Sequence, residues 1–325
     1  MRLFNQSIPL QAVIILAVMA VLWWRALAEP VAMTASDGAV LYGIVARLFT
    51  TIPLAATITA MLLILVEGLM LNLTLSDHGL TPSNSLLPTL LYVVAMSAPA
   101  TTLTPMVLAA AAIIGCIRCT MLKGPLLTIS VERACTTTAL IGLASLFYLP
   151  AALMTVGYLL VAINYRLYSR KDWAVLFLGF LAPYALLTIV LTLTDGLAEW
   201  WQGVVAAICD IHVGTGAFTT MQAIGNAVLL AVMLAGVVNV WILSGERTVV
   251  WQKNATTILA FLVGAIGMLF VTRLFPADMQ TFAPSFAFCV TSMLAPPAHT
   301  SRYRKRKEWI YITLLILTIL TPLIC

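Results

Sequence analysis

The stretch Ser85–Cys119, SLLPTLLYVVAMSAPATTLTPMVLAAAAIIGCIRC, decides how the chain is threaded. It is too long for one membrane-crossing helix of about 20 residues and short for two. Pro99 and Pro105 interrupt it. A proline inside a helix removes a backbone donor and clashes with the preceding turn, so a kink or a hairpin tip falls there. As a tight hairpin of two short helices, the stretch returns the chain to the face it left. As a single kinked span, it would flip the N-terminus. Ala134–Tyr165, broken by Pro150, poses the same question, and both read as hairpins.

Outward from these hairpins the sequence predicts further spans at Ile8–Ala28, Ile52–Leu73, Trp173–Thr194, Met221–Leu243, Ala255–Phe275, Phe282–Pro296 and Trp309–Ile324. Of 325 residues, 62% are hydrophobic and 9% charged, with a mean hydropathy of +1.04. A soluble domain carries roughly a quarter charged residues, so a water-soluble globule is excluded. The apolar runs are continuous and not alternating, which selects helices over a β-barrel. The predicted fold is all-α: a polytopic integral membrane helix bundle of about 11 transmembrane helices, two proline-broken hairpins included. Residues 1–325 form a single transmembrane domain without internal repeats.

Positive charge orients this bundle. Most of the 17 basic residues fall in four clusters: Arg118/Lys123/Arg133, Arg166/Arg170/Lys171, Arg247/Lys253 and Arg302/Arg304/Lys305/Arg306/Lys307. All four are cytoplasmic only if the crossings between them are even in number, which the hairpin readings satisfy. The N-terminus then lies inside and the C-terminus outside. The Ser76–Ser85 loop, with Asp77 and His78 but no lysine or arginine, is the weakest link. The outer face carries Glu29, Asp37, Asp195, Glu199, Asp210 and Asp278 against Arg25, Arg47 and Arg273. Its loop Gly38–Thr50, capped by Ser36-Asp37, is predicted to lie along the membrane surface. Trp23-Trp24 and Trp200-Trp201 read as interfacial anchors. Ala26-Leu27-Ala28 imitates a signal-peptidase site, but the long run before it, ending in the tryptophans and Arg25, suits a retained helix.

Chemistry has few candidates. Glu67 is the sole acid well inside a predicted span, where desolvation is costly and an ionisable group is by default functional. Its position also lets it reach water or pair with a basic loop residue at the cytoplasmic end. Glu29 and Asp37, in the first outer loop, could act as a general base or hold a metal borne by a diphosphate. Arg25 and Arg47 flank that loop, with guanidinium forks suited to phosphate. The same residues also read as turn and cap chemistry. In the second outer loop, Asp210 and His212 precede Gly214-Thr215-Gly216, too few ligands for a metal. Arg166, Arg170 and Trp173, at helical spacing, suggest an anionic headgroup site or a plain positive-inside anchor.

The six cysteines suit core positions, and the lone Cys116/Cys119 pair lacks partners for a metal site. Signatures for ATP hydrolysis, zinc proteolysis and serine hydrolysis are missing. No metal, cofactor or nucleic-acid partner is predicted.

From Ser145-Leu146-Phe147-Tyr148-Leu149-Pro150-Ala151, through Tyr165-Arg166 and Asp172-Trp173, to Gly179 and Pro183-Tyr184, the chain resembles domain-of-unknown-function family 6427. That family consists of bacterial polytopic inner-membrane proteins. Leu3-Phe4-Asn5-Gln6-Ser7-x-Pro9, Asn72 with His78, and Lys307-Glu308-Trp309 also fit, so the likeness spans nearly the whole chain. Leu167, Arg170, Lys171 and Asp172 stand where the family has Pro, Trp, Arg and Glu. The resemblance implies a multi-pass protein of a gram-negative inner membrane, with no reaction attached.

Three functions fit. The first is envelope glycan assembly on polyprenyl-diphosphate-linked sugars, as a glycosyltransferase or polymerase using Asp37 and Glu29. The second is a transporter or flippase built on the proline-broken spans and Glu67. The third is a non-catalytic scaffold holding envelope protein partners among membrane lipids.

Overall fold

A computed structural model describes residues 8–31, 39–97, 103–123, 128–167, 169–209, 220–271 and 280–294. Among the described residues the chain is helical, with no strand. The helices are α1 (Ile8–Ala28), α2 (Val40–Phe49), α3 (Pro53–Asp77), α4 (Leu87–Ser97), α5 (Pro105–Thr120), α6 (Val131–Phe147), α7 (Met154–Asn164), α8 (Arg170–Leu193), α9 (Leu197–Cys209), α10 (Thr220–Ser244), α11 (Val249–Val271) and α12 (Ala283–Leu294). A 3₁₀ turn, Leu149–Leu153, leads into α7.

Five of these, α1, α3, α8, α10 and α11, are long and apolar enough to cross a membrane. At 1.5 Å per residue, α3 is about 37 Å long, more than the roughly 30 Å of a hydrocarbon core. Their outer faces are apolar: Phe177, Leu186, Ile189 and Leu193 on α8, and Leu234, Val238 and Ile242 on α10, are exposed. In water such a surface would aggregate; in a bilayer it is the lipid-facing side. The short helix α4 lies at the centre instead. All of its residues are buried, and it packs on α1, α3 and α12. Shielded on every side, it has no need of a full span's length.

Each proline-broken stretch forms two short helices, α4 with α5 and α6 with α7, and the connection 98–102 lies outside the described residues. Pro105 opens α5 at its first turn, where Thr104 caps Val107 N–H, and Pro150 opens the 3₁₀ turn between α6 and α7. Proline tolerates both places, since a first-turn N–H has no helical partner to lose. The backbone flanking α4 and α5 is non-helical, and three carboxamides hold it. Gln11 of α1 donates to Asn84 O (3.1 Å) and accepts from Leu86 N–H (2.7 Å), just before α4. Gln280 donates to Met96 O (2.9 Å) at the end of α4 and accepts from the Thr104 hydroxyl (3.1 Å). Asn254 of α11 donates to Leu122 O (3.0 Å) and accepts from its N–H (2.8 Å), just after α5. Each amide replaces a pairing that regular structure would have supplied.

Glycines set the close helix crossings. A Cβ on Gly157 of α7 would meet the Ala260 carbonyl of α11, and one on Gly236 of α10 would sit 2.8 Å from Cys289 of α12. Close approach through small residues is the usual means of packing helices in lipid, where no hydrophobic force drives them together. α6 and α8 also pack closely: Gly179 lies against Cys135 and Thr138, Pro183 against Gly142, and the Tyr184 and Ser145 hydroxyls are 2.7 Å apart.

The ends of the helices sort by charge. Asp77, ending α3, pairs with Lys123 (3.4 Å) and Arg118 (3.8 Å) beyond and within the last turn of α5. Lys253 lies over the Tyr165 ring at the end of α7. With the Asn254–Leu122 pairing, these contacts gather the ends that bear the first three basic clusters. The loop without lysine or arginine therefore shares the end of the first cluster, as the hairpin reading requires.

Several local readings change. Trp23 and Trp24 are not an interfacial pair: Trp24 is 73% exposed, whereas Trp23 is 1% exposed and donates to Ser97 Oγ (2.9 Å). The cap of α2 is Ala39, with no side-chain hydrogen bond, so Ser36-Asp37 does not start that helix. Its inner face is buried, with Tyr42 donating to Leu103 O (3.3 Å). The loop after Asp195 forms α9, on which Trp201 is exposed. The predicted span Trp309–Ile324 lies outside the described residues.

Replacing Gln280 with Leu leaves the Met96 carbonyl without its donor. Thermal unfolding in detergent should show a loss of about 1–3 kcal/mol, the cost of an unsatisfied buried group. A surface change such as Thr192→Ala should be near neutral.

Candidate functional site

Glu67 lies ten residues before the end of α3, a rise of about 15 Å, or half the thickness of a hydrocarbon core. The sequence reading put it nearer the surface, because α3 runs on to Asp77, one turn past the predicted end at Leu73. At this depth Glu67 reaches no basic side chain among the described residues. It is 1% exposed, and its Oε2 accepts from the Tyr92 hydroxyl at 2.9 Å. Tyr92 is the middle residue of α4, and its side chain is fully buried. Oε1 meets no donor at hydrogen-bonding geometry, although the Ala111 backbone of α5 lies beside the carboxyl. Three helices thus converge on one acid.

The neighbouring Gly68 makes this approach possible. A Cβ there would sit 3.2 Å from both Thr89 Cγ2 and Tyr92 Cδ1, and the Thr89 hydroxyl donates to Gly68 O at 3.1 Å. A larger residue would push α4 away and carry the tyrosine hydroxyl off the carboxyl. Farther along α3, Asn72 is buried with Oδ1 unpaired.

His78 caps the C-terminus of α3 in a Schellman turn closed by Gly79, whose φ is +67°. It is not the solitary loop residue the sequence suggests. Its Nδ1 is 2.6 Å from Thr74 O, its Nε2 is unpaired, and Asp77, Arg118 and Lys123 surround it. Burial pushes the imidazole below its ordinary value, and Lys123 and Arg118 add to this; the Thr74 hydrogen bond and Asp77 act the other way.

The remaining sequence candidates are not brought together. Glu29 is exposed after the last turn of α1 and forms no ion pair with Arg25 or Arg47, which end α1 and α2. Asp37, Asp210 and His212 lie outside the described residues. Arg166 shares no helix face with Arg170 and Trp173. It closes α7 in a left-handed turn (φ 59°), and α8 starts afresh at a capping box formed by Ser169 and Asp172. Among the described residues no three His, Cys, Asp or Glu side chains converge. Cys116 is buried and donates to Thr137 O at 3.4 Å.

Sequence reasoning missed Tyr92, Thr89 and the three carboxamides, because it scanned spans for ionisable groups only. Gln11, and Thr89 with Tyr92 at i, i+3, are polar side chains inside apolar runs, the signal that would have found them.

Compared with protein-family models, curated proteins and solved structures, the chain matches none.

Because folding holds the His78 imidazole below its unfolded value of about 6.5, acid favours the unfolded chain, which binds the extra proton. Thermal stability in detergent should therefore fall as pH drops below about 6.5. His78→Gln should flatten that slope.

Proposed function

We propose that this chain is a proton-coupled secondary transporter in which the Glu67 carboxyl alternates between a proton and a cationic substrate. The observation that carries the reading is a fully buried carboxyl with no cationic partner among the described residues, held by Tyr92 from a short helix at mid-depth. An unpaired carboxylate there is costly, and either a proton or a cation removes the cost. The two compete for one acceptor, so release of one is coupled to uptake of the other. Tyr92 fixes Oε2 and leaves Oε1 as the exchanging atom. Interrupted helices at the midplane commonly form transporter sites, and the α4–α5 pair has that form.

In this reading the membrane is a bacterial inner membrane, and the count of about 11 spans takes in the short helices and the Trp309–Ile324 stretch. The basic helix ends face the cytoplasm in this reading. Glycan assembly on a polyprenyl-diphosphate substrate has no specific observation in its favour, since Glu29 is exposed and forms no ion pair among the described residues.

Everted membrane vesicles with a respiration-generated pH gradient test the proposal. Addition of sodium, potassium, lithium or a small organic amine should collapse the gradient in vesicles containing the protein. Glu67→Gln should reduce the response to that of vesicles lacking it, while Glu29→Gln leaves it intact. A full response in Glu67→Gln, or none to any of these cations in the wild type, would refute the reading.

A further inference from the structure

Eight buried side-chain polar atoms among the described residues have no hydrogen-bond partner, and four of them fall in one stretch of chain: Glu67 Oε1, Asn72 Oδ1, His78 Nε2 and Thr81 Oγ1. The other four lie on α7 and α10. An unpaired polar atom in a dry interior is costly, and ordered water is the usual remedy. From mid-depth to the end of the bundle where Asp77 meets Arg118 and Lys123, this stretch offers water a series of attachment points.

Glu67 and His78 are eleven residues apart, close to three full turns, so they leave α3 on the same face about 16 Å from each other along the axis. Thr74 shares that face, about two turns beyond Glu67. Its hydroxyl donates to Met70 O (2.8 Å) and keeps a lone pair for water. α5 runs alongside, from the Ala111 backbone beside the Glu67 carboxyl to Arg118 beside Asp77. The Thr74 carbonyl, 2.6 Å from Nδ1, also fixes the tautomer of His78. A carbonyl oxygen only accepts, so the neutral ring carries its proton on Nδ1 and presents Nε2 as a bare lone pair. The charged groups around it are Asp77, Arg118 and Lys123. Asp77 is already paired with both cations (3.8 and 3.4 Å), so an imidazolium formed here gains no carboxylate of its own. Such a ring passes a proton on and does not store it.

We infer that His78 is a proton-transfer residue, its Nε2 exchanging protons between the outer end of α3 and Glu67 Oε1 through water held along that face of the helix. The inference rests on the reading of Glu67 as the exchanging acid. Nε2 accepts a proton from hydronium at the helix end, the imidazolium gives it to the water column, and the inner end of that column protonates Oε1. Nδ1 keeps its own proton throughout, bonded to Thr74 O.

Flash release of protons from a caged acid times this transfer in the reconstituted full-length protein, with no transported cation present. The readout is the infrared band of the protonated Glu67 carboxyl, assigned by its absence in Glu67→Gln. His78→Asn keeps an amide donor where Nδ1 stood, able to bond Thr74 O, and His78→Gln places one where Nε2 stood. In both variants the band should reach its wild-type amplitude roughly a hundredfold more slowly, as for loss of a positioned proton-transfer group. Added imidazole, a mobile carrier of the same chemistry, should restore the rate. A wild-type rate in either variant would overturn the assignment while leaving Glu67 as the exchanging acid, whereas no Glu67 band in the wild type would overturn both. Slowing that imidazole does not relieve, or a lost amplitude in both variants, would also overturn it, since each marks a residue that only holds the helix end.

Discussion

Backbone amides and carbonyls inside a hydrocarbon layer must find partners within the protein, because no water is there to supply them. The short helices α4 and α5 meet this demand where they approach each other, with Gln280 bonding Met96 O and the Thr104 hydroxyl, while Gln11 and Asn254 hold their outer ends at the basic side of the bundle. These amides come from three different parts of the chain, so the pair is fixed only when α1, α11 and the approach to α12 have assembled around it. That dependence explains why an eleven-residue helix can occupy the centre of the bundle, where regular spans would have been self-sufficient.

The same arrangement sets the chemistry of Glu67. A central short helix brings Tyr92 to mid-depth, Gly68 lets α4 close on α3, and the carboxyl is left with one oxygen engaged and one unpaired. Elsewhere the acids behave as surface groups: Asp77 joins two cations at the rim, and Asp172 serves a capping box. A half-exposed ion pair such as Asp77 with Lys123 contributes about 0–1 kcal/mol, so its importance is in joining helix ends. A buried acid with no cation among the described residues is of another kind, since protonation is what relieves its cost.

Much of the fold was legible from apolar length and proline position. α1 matches its predicted bounds, and each proline-broken stretch forms two short helices. Charge parity also placed the loop around His78 at the correct end, despite its lack of basic residues. What sequence could not give was depth and pairing. Glu67 looked near-surface because the polar residues from Thr74 to Asp77 hid the last turn of α3, and Arg166 looked helical because a left-handed turn in a non-glycine residue has no compositional sign. Trp23 and Trp24 are neighbours of identical type, and only packing against Ser97 separates their roles. Tyr92 could not be matched to Glu67 because the partner of a buried acid is set by tertiary approach.

Infrared difference spectroscopy of the reconstituted protein between acid and alkaline conditions addresses the Glu67–Tyr92 junction most directly. The account predicts a protonated-carboxyl band that vanishes in Glu67→Gln and moves to higher frequency in Tyr92→Phe, where its hydrogen bond is lost. A spectrum indifferent to both substitutions would contradict it.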